Sequence, residues 1–368
     1  MSAPAAPTAP TPPAAAPAPD GPLEQAVQRP RARWLRADWA ALPGWAADSP
    51  SAWWPALRAG CVRPAPGWAE LCARAQLQAP SDDTQARQWL HTWLQPWRVE
   101  TLDGQREGLI TGYFEPLIEA RRQRDAVFRV PLHQPPPELA TLKPFPTRQQ
   151  LDGPQARLLQ GREIAYVADP LDALLLQIQG SGRLQVTEPD GRQQTIRLAF
   201  AGHNDQPYRS VGRWLVERGE LTLESASWPA IKAWARLNPQ RQQEMLWANP
   251  RVVFFREEAL PDPNVGPRGA QGVPLTPGRS IAVDPQSVPY GTPVWLDTTE
   301  PLSATPLRRL VMAQDTGSAI VGAVRADYFW GWGDTAEAQA GRMKQPLRVW
   351  ALWPRGSLPP GVVEGAAR

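Results

Sequence analysis

Residues 310–333 read Leu310-Val-Met-Ala-Gln-Asp-Thr-Gly-Ser-Ala-Ile-Val-Gly-Ala-Val-Arg-Ala-Asp-Tyr-Phe-Trp-Gly-Trp-Gly333. Two short apolar runs are each followed by an aspartate, Asp315 and Asp327, twelve residues apart. The first run predicts a buried strand that stops at the turn after Asp315, and residues 319–324 predict a second buried strand. The aromatic residues 328–330 would exclude water from Asp327, raise its pKa and keep a proton available near neutrality, as a general acid requires. The simpler alternative is a pair of turn aspartates at strand ends.

Composition indicates a globular protein of about two domains, since the chain has 368 residues, 42% of them hydrophobic and 20% charged. A net charge of +3 and a pI of about 9.1 predict weak attraction to anionic polymers. This charge is too small and too evenly spread for a nucleic-acid-binding protein. Eighteen tryptophans are compatible with a polysaccharide substrate, because flat aromatic rings pack against sugar faces.

The N-terminal segment has the composition of a linker. Residues 1–22 contain eight prolines and eight alanines, without a charged or apolar signal region. They predict an extended, disordered Pro/Ala-rich tether rather than a signal peptide. No apolar run reaches the roughly 18 residues of a membrane span. A tether of this kind often connects a membrane anchor to a folded domain, so we expect a native form with an export signal and a membrane anchor that this sequence lacks. The tail, residues 357–368, is also predicted to be disordered.

Cysteine and histidine are scarce. Cys61 and Cys72 are the only cysteines, and the three histidines do not combine with them in any metal-ligand spacing. We expect neither a metal nor a cofactor. In an exported protein a disulfide between Cys61 and Cys72 is favoured over two buried thiols.

The chain up to residue 247 alternates between helical and strand-like segments. Helices are predicted at residues 52–59, 68–75, 81–97, 209–218, 227–237 and 240–247. Strands are predicted at residues 108–114, 164–167 and 173–178, with a hairpin over residues 185–200 that turns at Asp190-Gly191.

The C-terminal third predicts six short strands with few helical interruptions, which favours a small closed barrel. These strands are residues 251–256, 280–283, 292–297, 309–314, 319–325 and 347–353.

One functional alternative comes from Asp315-Thr316-Gly317-Ser318, which is the type of loop that carries the catalytic carboxylate of aspartic proteases. Those enzymes need two such carboxylates about 3 Å apart. The chain has no second Asp-Thr-Gly or Asp-Ser-Gly sequence, so a protease would have to be a homodimer.

Several segments taken together are more specific than any single motif. They are Leu42-Pro-Gly-Trp45, Thr111-Gly-Tyr-Phe-Glu-Pro116, Gln177-Ile-Gln-Gly-Ser-Gly-Arg183, Tyr208-Arg-Ser-Val-Gly212, Asn249-Pro250, Val253-Phe-Phe-Arg256, Ser280-Ile-Ala-Val-Asp-Pro285 and residues 313–333. In this order they resemble the membrane-bound lytic murein transglycosylase A family, from about residue 39 to residue 354. The chain departs from the family pattern at Ser318 (usually glycine), Val321 (usually lysine) and Arg251 (usually serine).

The resemblance implies a mainly β fold with some α structure. It comprises a six-stranded double-psi β-barrel domain with an inserted smaller β-rich domain and short peripheral helices. Residues 23–116 and 248–356 would form the catalytic barrel domain with its N-terminal helices, and residues 117–247 the inserted domain. A groove between the two domains would hold the glycan.

The resemblance also implies an activity and a set of site residues. The family is a carbon–oxygen lyase that cleaves the MurNAc-β-1,4-GlcNAc bond of peptidoglycan without water and leaves 1,6-anhydroMurNAc ends. By motif position Asp327 is the general acid/base, Asp315 supports it and Asp284 braces the barrel loops. Candidates for substrate binding are Thr111, Tyr113, Gln179, Ser181 and Gly182.

The implied setting is a periplasmic, outer-membrane-anchored monomer that acts in cell-wall turnover. Its partners would be peptidoglycan strands and not nucleic acid. Other proteins of cell-wall synthesis and remodelling are possible further partners. The alternative to an enzyme is a non-catalytic barrel that binds cell-wall glycan.

Overall fold

A computed structural model describes residues 26–363 of the chain. The predicted linker at residues 1–22 and the last five residues lie outside this range. The prediction of a disordered tail from residue 357 is wrong for its first part. Val362 and Val363 form a strand that pairs with residues 27 and 28, because the N-terminal strand offers them a free edge.

The strands in chain order are β1 (Ala26–Gln28), β2 (Arg33–Arg36), β3 (Leu94–Glu100), β4 (Gly108–Glu115), β5 (Leu117–Arg121), β6 (Val130–His133), β7 (Glu163–Val167), β8 (Gly182–Thr187), β9 (Gln193–His203), β10 (Val253–Ala259), β11 (Ser280–Val283), β12 (Pro293–Thr299), β13 (Pro306–Asp315), β14 (Arg325–Trp332), β15 (Lys344–Pro354) and β16 (Val362–Val363). The α-helices are α1 (Trp54–Gly60), α2 (Ala69–Leu77), α3 (Asp83–Trp93), α4 (Arg148–Leu151), α5 (Pro170–Gln179), α6 (Val211–Glu217), α7 (Trp228–Leu237), α8 (Gln242–Trp247) and α9 (Asp334–Ala340). Short 3-10 helices lie at Trp39–Ala41, Trp45–Ala47, Pro50–Trp53, Pro137–Ala140, Ala156–Leu158 and Pro239–Arg241.

Six strands close into a ring in the order β12-β13-β11-β14-β4-β15, and the antiparallel pairing of β15 with β12 completes it. Strands β3, β2, β1 and β16 extend the sheet from β15. The core of this barrel is rich in tryptophan, with Trp34, Trp97 and Trp295 each at most 2% exposed. The mainly β fold class with a barrel domain is therefore confirmed.

The second sheet has six strands in the order β10-β9-β8-β5-β7-β6, and its sequence lies between the first and later strands of the barrel. The prediction of a barrel strand at residues 251–256 is wrong, because β10 pairs with β9 along its whole length. The inserted domain therefore extends through β10, past the predicted boundary at residue 247. The apolar run that forms β10 is buried on both faces within this domain. Val253 and Phe255 pack into one cluster and Phe254 into another.

Two further strand and helix predictions are wrong. Residues 173–178 are helical within α5, since Asp169 accepts a hydrogen bond from the Leu171 N–H and Pro170 occupies the first turn. Trp97 belongs to β3 rather than to the helix before it, which ends at Trp93. The apolar residues of both segments fit a helix or a buried strand equally well.

The described residues bear on two predictions, the disulfide and the absence of a membrane span. Cys61 and Cys72 form a disulfide between the end of α1 and the middle of α2, with their Cα atoms 5.1 Å apart. Among residues 26–363, every helix falls short of the length and apolar character that crossing a membrane requires.

A buried ion cluster joins the two sheets where the chain passes from β4 to β5. Glu115 is fully buried and accepts from Arg183 Nε at 2.7 Å and from Arg197 Nε at 2.6 Å. The Arg183 guanidinium also lies 4.0 Å from the Trp332 ring centroid, on the barrel side. One carboxylate faces two guanidiniums, and their remaining donors reach the carbonyls of Pro263 and Val265. Because these buried groups are hydrogen-bonded, the cluster fixes how the second domain sits against β4 and β14.

Candidate active site

The site is assembled by the parallel pairing of β4 with β14, two strands about 200 residues apart in sequence. Their register places Thr111 beside Asp327 and Tyr113 beside Phe329. Since side chains alternate across a strand, these four residues share one face of the sheet. The opposite face carries Ile110, Ala326 and Tyr328 into the barrel core.

Asp327 is held by a short chain of hydrogen bonds. The Thr111 hydroxyl donates to Asp327 Oδ1 at 2.6 Å, and Arg325 Nη2 donates to the Thr111 oxygen at 3.0 Å. Among the described residues Asp327 Oδ2 has no hydrogen-bond partner. Burial raises the pKa of Asp327 to about 6, and the nearby charge of Asp315 adds to this, whereas Thr111 and Arg325 act against it.

Asp315, by contrast, has both oxygens occupied. The Tyr113 hydroxyl donates to Oδ2 at 2.9 Å, and the Ala270 N–H donates to Oδ1 at 2.9 Å. Burial raises the pKa of Asp315, while these hydrogen bonds oppose the rise. Burial and the Asp315 charge also hold the pKa of Tyr113 well above its ordinary value, so this phenol stays a donor.

Asp315 and Asp327 lie on either side of β11, because each is paired with Ala282. Their Cα atoms are thus two strand spacings apart, about 10 Å. The two carboxyl groups are near enough for Asp315 to raise the pKa of Asp327, but each has its own hydrogen-bond partner. They do not form a pair of carboxyls that shares one proton.

Asp284 is the third aspartate, just after β11, and it binds the loop that follows Asp315. Its carboxylate accepts from the Gly322 N–H and the Gln286 N–H, both at 2.9 Å, and from Arg31 at 3.1 Å. Burial favours its neutral form, but these donors together outweigh burial and the pKa of Asp284 is lowered. A carboxylate of this kind is suited to holding a loop.

The loop itself replaces a predicted strand. Residues 316–324 form turns, and β14 begins only at Arg325, so the prediction of a strand over residues 319–325 is wrong. Ile320, Ala323 and Val324 are nevertheless buried, which explains the apolar pattern without a strand. Gly322 has a φ of 112°, a backbone conformation that favours glycine, where its N–H reaches Asp284.

The aromatic residues after Asp327 are divided between the two faces of β14. Tyr328 is fully buried in the barrel and donates to the Gly278 carbonyl at 2.8 Å. Phe329 lies on the same face as Asp327, with its ring 5.2 Å from that of Tyr113. Of the aromatic residues 328–330 that were predicted to surround Asp327, Phe329 shares its face of the sheet. A second aromatic ring on that face comes from Tyr113.

The remaining candidates lie where the inserted domain meets β4. Gln179 ends α5, and its amide oxygen accepts from the Phe114 N–H at 3.3 Å. Ser181 is partly exposed in the turn after α5. Gly182 is buried, and a Cβ there would overlap the Leu176 side chain, so packing favours glycine at this position.

A cavity of about 710 Å³ adjoins this junction, between β4 and α9 on one side and α5 to α7 on the other. Its walls include the rings of Phe114, Tyr208 and Trp228, with Gln179 and Arg342 at polar positions. Asp315 and Asp327 do not line it. Aromatic walls with a few polar groups are typical of ligand pockets.

Two residues that the sequence analysis did not assign to the site face it. Arg325 supports Thr111, and its position two residues before Asp327 would have placed it on the same face had β14 been predicted correctly. Arg251 of the inserted domain donates to Ser318 at 3.3 Å. The structure thus brings together two of the three positions at which the chain departs from the family pattern. In the described range no cluster of three or more His, Cys, Asp or Glu side chains could hold a metal ion.

Comparison with known families agrees with this architecture. A model described as the MltA specific insert domain matches residues 109–256, and a 3D domain model matches residues 279–353. The membrane-bound lytic murein transglycosylase A of Vibrio cholerae is 35% identical over 261 residues, which cover 68% of this chain and 66% of the relative. That of Escherichia coli K12 is 32% identical over 75% of this chain and 73% of the relative. The chain belongs to the membrane-bound lytic murein transglycosylase A family.

Solved structures extend the family likeness to nearly the whole chain. MltA from Neisseria gonorrhoeae is 33% identical with a TM-score of 0.80, covering 95% of this chain and 99% of that one. The lytic transglycosylase LtgG of Burkholderia pseudomallei is 45% identical with a TM-score of 0.63, covering 93% and 100%. E. coli MltA with bound chitohexaose is 25% identical with a TM-score of 0.68, covering 90% and 94%. The family identification made from the sequence motifs is confirmed.

Proposed function

We propose that this protein is a lytic transglycosylase that cleaves the MurNAc-β-1,4-GlcNAc bond of peptidoglycan and leaves 1,6-anhydroMurNAc ends. Family membership supports the reaction class, and the chitohexaose complex of the E. coli relative supports a glycan ligand. The observation that carries the assignment of Asp327 is its combination of a pKa of about 6 with one oxygen free of protein partners.

In the first step Asp327 acts as a general acid. Because Thr111 donates to Oδ1, we place the acidic proton on Oδ2. This proton passes to the glycosidic oxygen as the bond from that oxygen to C1 of MurNAc breaks, and C1 gains oxocarbenium character. Asp327 is left as a carboxylate, which its hydrogen bond from Thr111 stabilises.

In the second step the same carboxylate acts as a general base. It takes the proton of the C6 hydroxyl of that MurNAc residue while O6 attacks C1 and closes the anhydro ring. The proton that Asp327 gave up is thus restored, and no water is consumed. One titrating carboxyl suffices because the nucleophile belongs to the substrate.

Asp315 supports this cycle without taking part in proton transfer. Both of its oxygens already accept hydrogen bonds, from Tyr113 and from Ala270. Its negative charge helps keep Asp327 protonated at the start and favours positive charge at C1 in the transition state. Asp284 acts indirectly: it accepts a hydrogen bond from the Gly322 N–H and so holds the loop after Asp315.

The two alternatives are less well supported. An aspartic protease requires paired carboxyls that share a proton, whereas Asp315 and Asp327 have separate partners here. A non-catalytic glycan-binding barrel gives no reason for a raised pKa at a carboxyl whose second oxygen is free.

We also propose a periplasmic location with a lipid anchor. The curated relatives are named membrane-bound, and the disulfide between Cys61 and Cys72 suits an oxidising compartment.

Product analysis tests the proposed function. Purified protein is incubated with sacculi, and the soluble muropeptides are examined by mass spectrometry. We expect anhydro ends, each lighter by one water than a hydrolysed end. Asp327→Asn should release almost none, with an unchanged circular dichroism spectrum as evidence of folding. Hydrolysed reducing ends as the main product, or full activity of Asp327→Asn, would contradict the proposal.

A further inference from the structure

One arginine of the inserted domain, Arg251, contacts the loop that follows Asp315, and a second, Arg148, lies behind it. Arg251 Nε donates to the Gln206 carbonyl at 2.8 Å, and its Nη1 reaches Ser318 Oγ at 3.3 Å. Ser318 is exposed and lies three residues after Asp315. Arg251 therefore extends from the inserted domain to the loop that follows Asp315.

Arg148 supports Arg251 from behind. It is buried, and its guanidinium donates to the carbonyls of Asn249 at 3.0 Å and Arg251 at 2.5 Å, and to Gln177 Oε1 at 2.6 Å. Burial lowers its pKa to about 10, so it remains a cation at neutral pH. Within residues 26–363 neither Arg148 nor Arg251 makes an ion pair.

Three other buried arginines have a carboxylate partner, whereas Arg29, within the described residues, donates only to backbone carbonyls. Arg183 and Arg197 share Glu115, and Arg279 pairs with Asp48 at 2.7 Å. Near Arg251 the exposed carboxylate Asp205 is already engaged by Lys143. Burial first, and then the positive charge of Arg251, lowers the pKa of His203, consistent with a positive potential here. Asp152 opposes the effect of burial on the pKa of Arg148, but its carboxylate accepts hydrogen bonds from Gln243 and Trp247. The Arg251 guanidinium, whose contacts in the described part of the chain are Gln206 and Ser318, is therefore available to an anion.

We propose that Arg251, backed by Arg148, binds a carboxylate of the acidic peptide substituent on the glycan strand in the groove. This inference rests on the proposed function. The sugar rings are uncharged, so the anionic groups of such a strand are the lactyl carboxylate, where it is free, and the carboxylates of the peptide. The contact with Ser318 is long and exposed, so a carboxylate can replace it with a shorter, charge-assisted contact to the guanidinium fork.

The position of Arg251 distinguishes the two carboxylate sources. The lactyl group is attached directly to the sugar ring, whereas the peptide reaches outward from it. Because Arg251 lies on the inserted domain rather than on the strands that carry Asp315 and Asp327, we assign it to the peptide. Removal of the peptide by an amidase leaves the lactyl carboxylate in place and so separates the two sources experimentally.

The test compares two substrates and three variants. Soluble glycan strands with intact peptides, and the same strands after amidase treatment, are digested and the release of anhydro ends gives kcat/KM. Arg251→Gln removes the charge but keeps a donor for Ser318. Ser318→Ala removes the contact but keeps the charge. Arg213→Gln is the matched control, since it removes the same charge from an exposed site on α6 where Arg213 pairs with Glu217.

We expect Arg251→Gln to lower kcat/KM about tenfold on peptide-bearing strands, the size of one charge-assisted contact, and less than twofold on stripped strands. Ser318→Ala and Arg213→Gln should keep the preference of the unaltered protein. An equal loss on both substrates for Arg251→Gln would show a structural link between domains and overturn this inference alone. A loss on stripped strands only would assign Arg251 to the lactyl carboxylate and also overturn it. If the unaltered protein releases no anhydro ends from either substrate, the proposed function fails and this inference with it.

Discussion

Replacing Thr111 by valine should move the pH dependence of activity in a direction that follows from a single hydrogen bond. The Thr111 hydroxyl donates to Asp327 Oδ1 at 2.6 Å and so favours the charged carboxylate. A hydrogen bond to a charged group contributes about 1.5–3 kcal/mol, which corresponds to about 1–2 pKa units. Without it, the pKa of Asp327 should rise from about 6 to about 7–8. Valine has nearly the same volume as threonine, so the fold should be kept.

The assay is kcat/KM for the release of anhydro ends between pH 4 and pH 9. Since the first step needs protonated Asp327, activity falls on the alkaline side of its pKa. At pH 7 the unaltered enzyme should retain about a tenth of its plateau, and Thr111→Val at least half of its own. Thr92→Val, the same substitution on α3 where the hydroxyl bonds only the Gln88 carbonyl, should leave the profile unchanged. An alkaline limb of Thr111→Val at the same pH as that of the unaltered enzyme would refute the assigned role of this hydrogen bond.

Three further predictions follow from other parts of the molecule. Asp315→Asn removes a negative charge that raises the pKa of Asp327, so the alkaline limb of kcat/KM should move to lower pH; a move to higher pH would contradict this. Glu115→Gln leaves Arg183 and Arg197 buried without their counter-charge and should lower the free energy of unfolding in urea by about 3–5 kcal/mol, whereas a loss under about 1 kcal/mol would oppose the assigned role of the cluster. Replacing both Cys61 and Cys72 by serine removes a cross-link between residues eleven positions apart and should lower the free energy of unfolding in urea by about 3 kcal/mol. An unchanged free energy of unfolding would contradict a stabilising role of the disulfide.

The sequence motifs placed two of the aspartates correctly at strand ends, because a strand end after an apolar run is a local signal, whereas Asp327 lies within β14 and not after a strand. Asp315 does end β13, and Asp284 does follow β11. The register that brings Thr111 to Asp327 could not be predicted in this way. It depends on the pairing of strands that are distant in the chain, and on the buried contacts of Glu115 that position the inserted domain.

The errors share one physical origin, which is that short apolar segments do not specify their backbone conformation. Residues 173–178 became part of a helix because Asp169 and Pro170 provide a helix start, a signal that was present in the sequence. Residues 319–324 are buried as a loop, held by the hydrogen bond from the Gly322 N–H to Asp284. That bond joins two segments 38 residues apart, and apolar periodicity gives no information about it.

The central claim is that Asp327 regains its proton from the substrate's own C6 hydroxyl, which attacks C1, and not from a water molecule. The direct measurement is digestion of sacculi in water enriched in heavy oxygen, followed by mass spectrometry of the new ends. The account predicts anhydro ends without solvent oxygen as the main product, and almost no product of either kind from Asp327→Asn. Reducing ends that carry the heavy oxygen as the main product would contradict it and show a hydrolase instead.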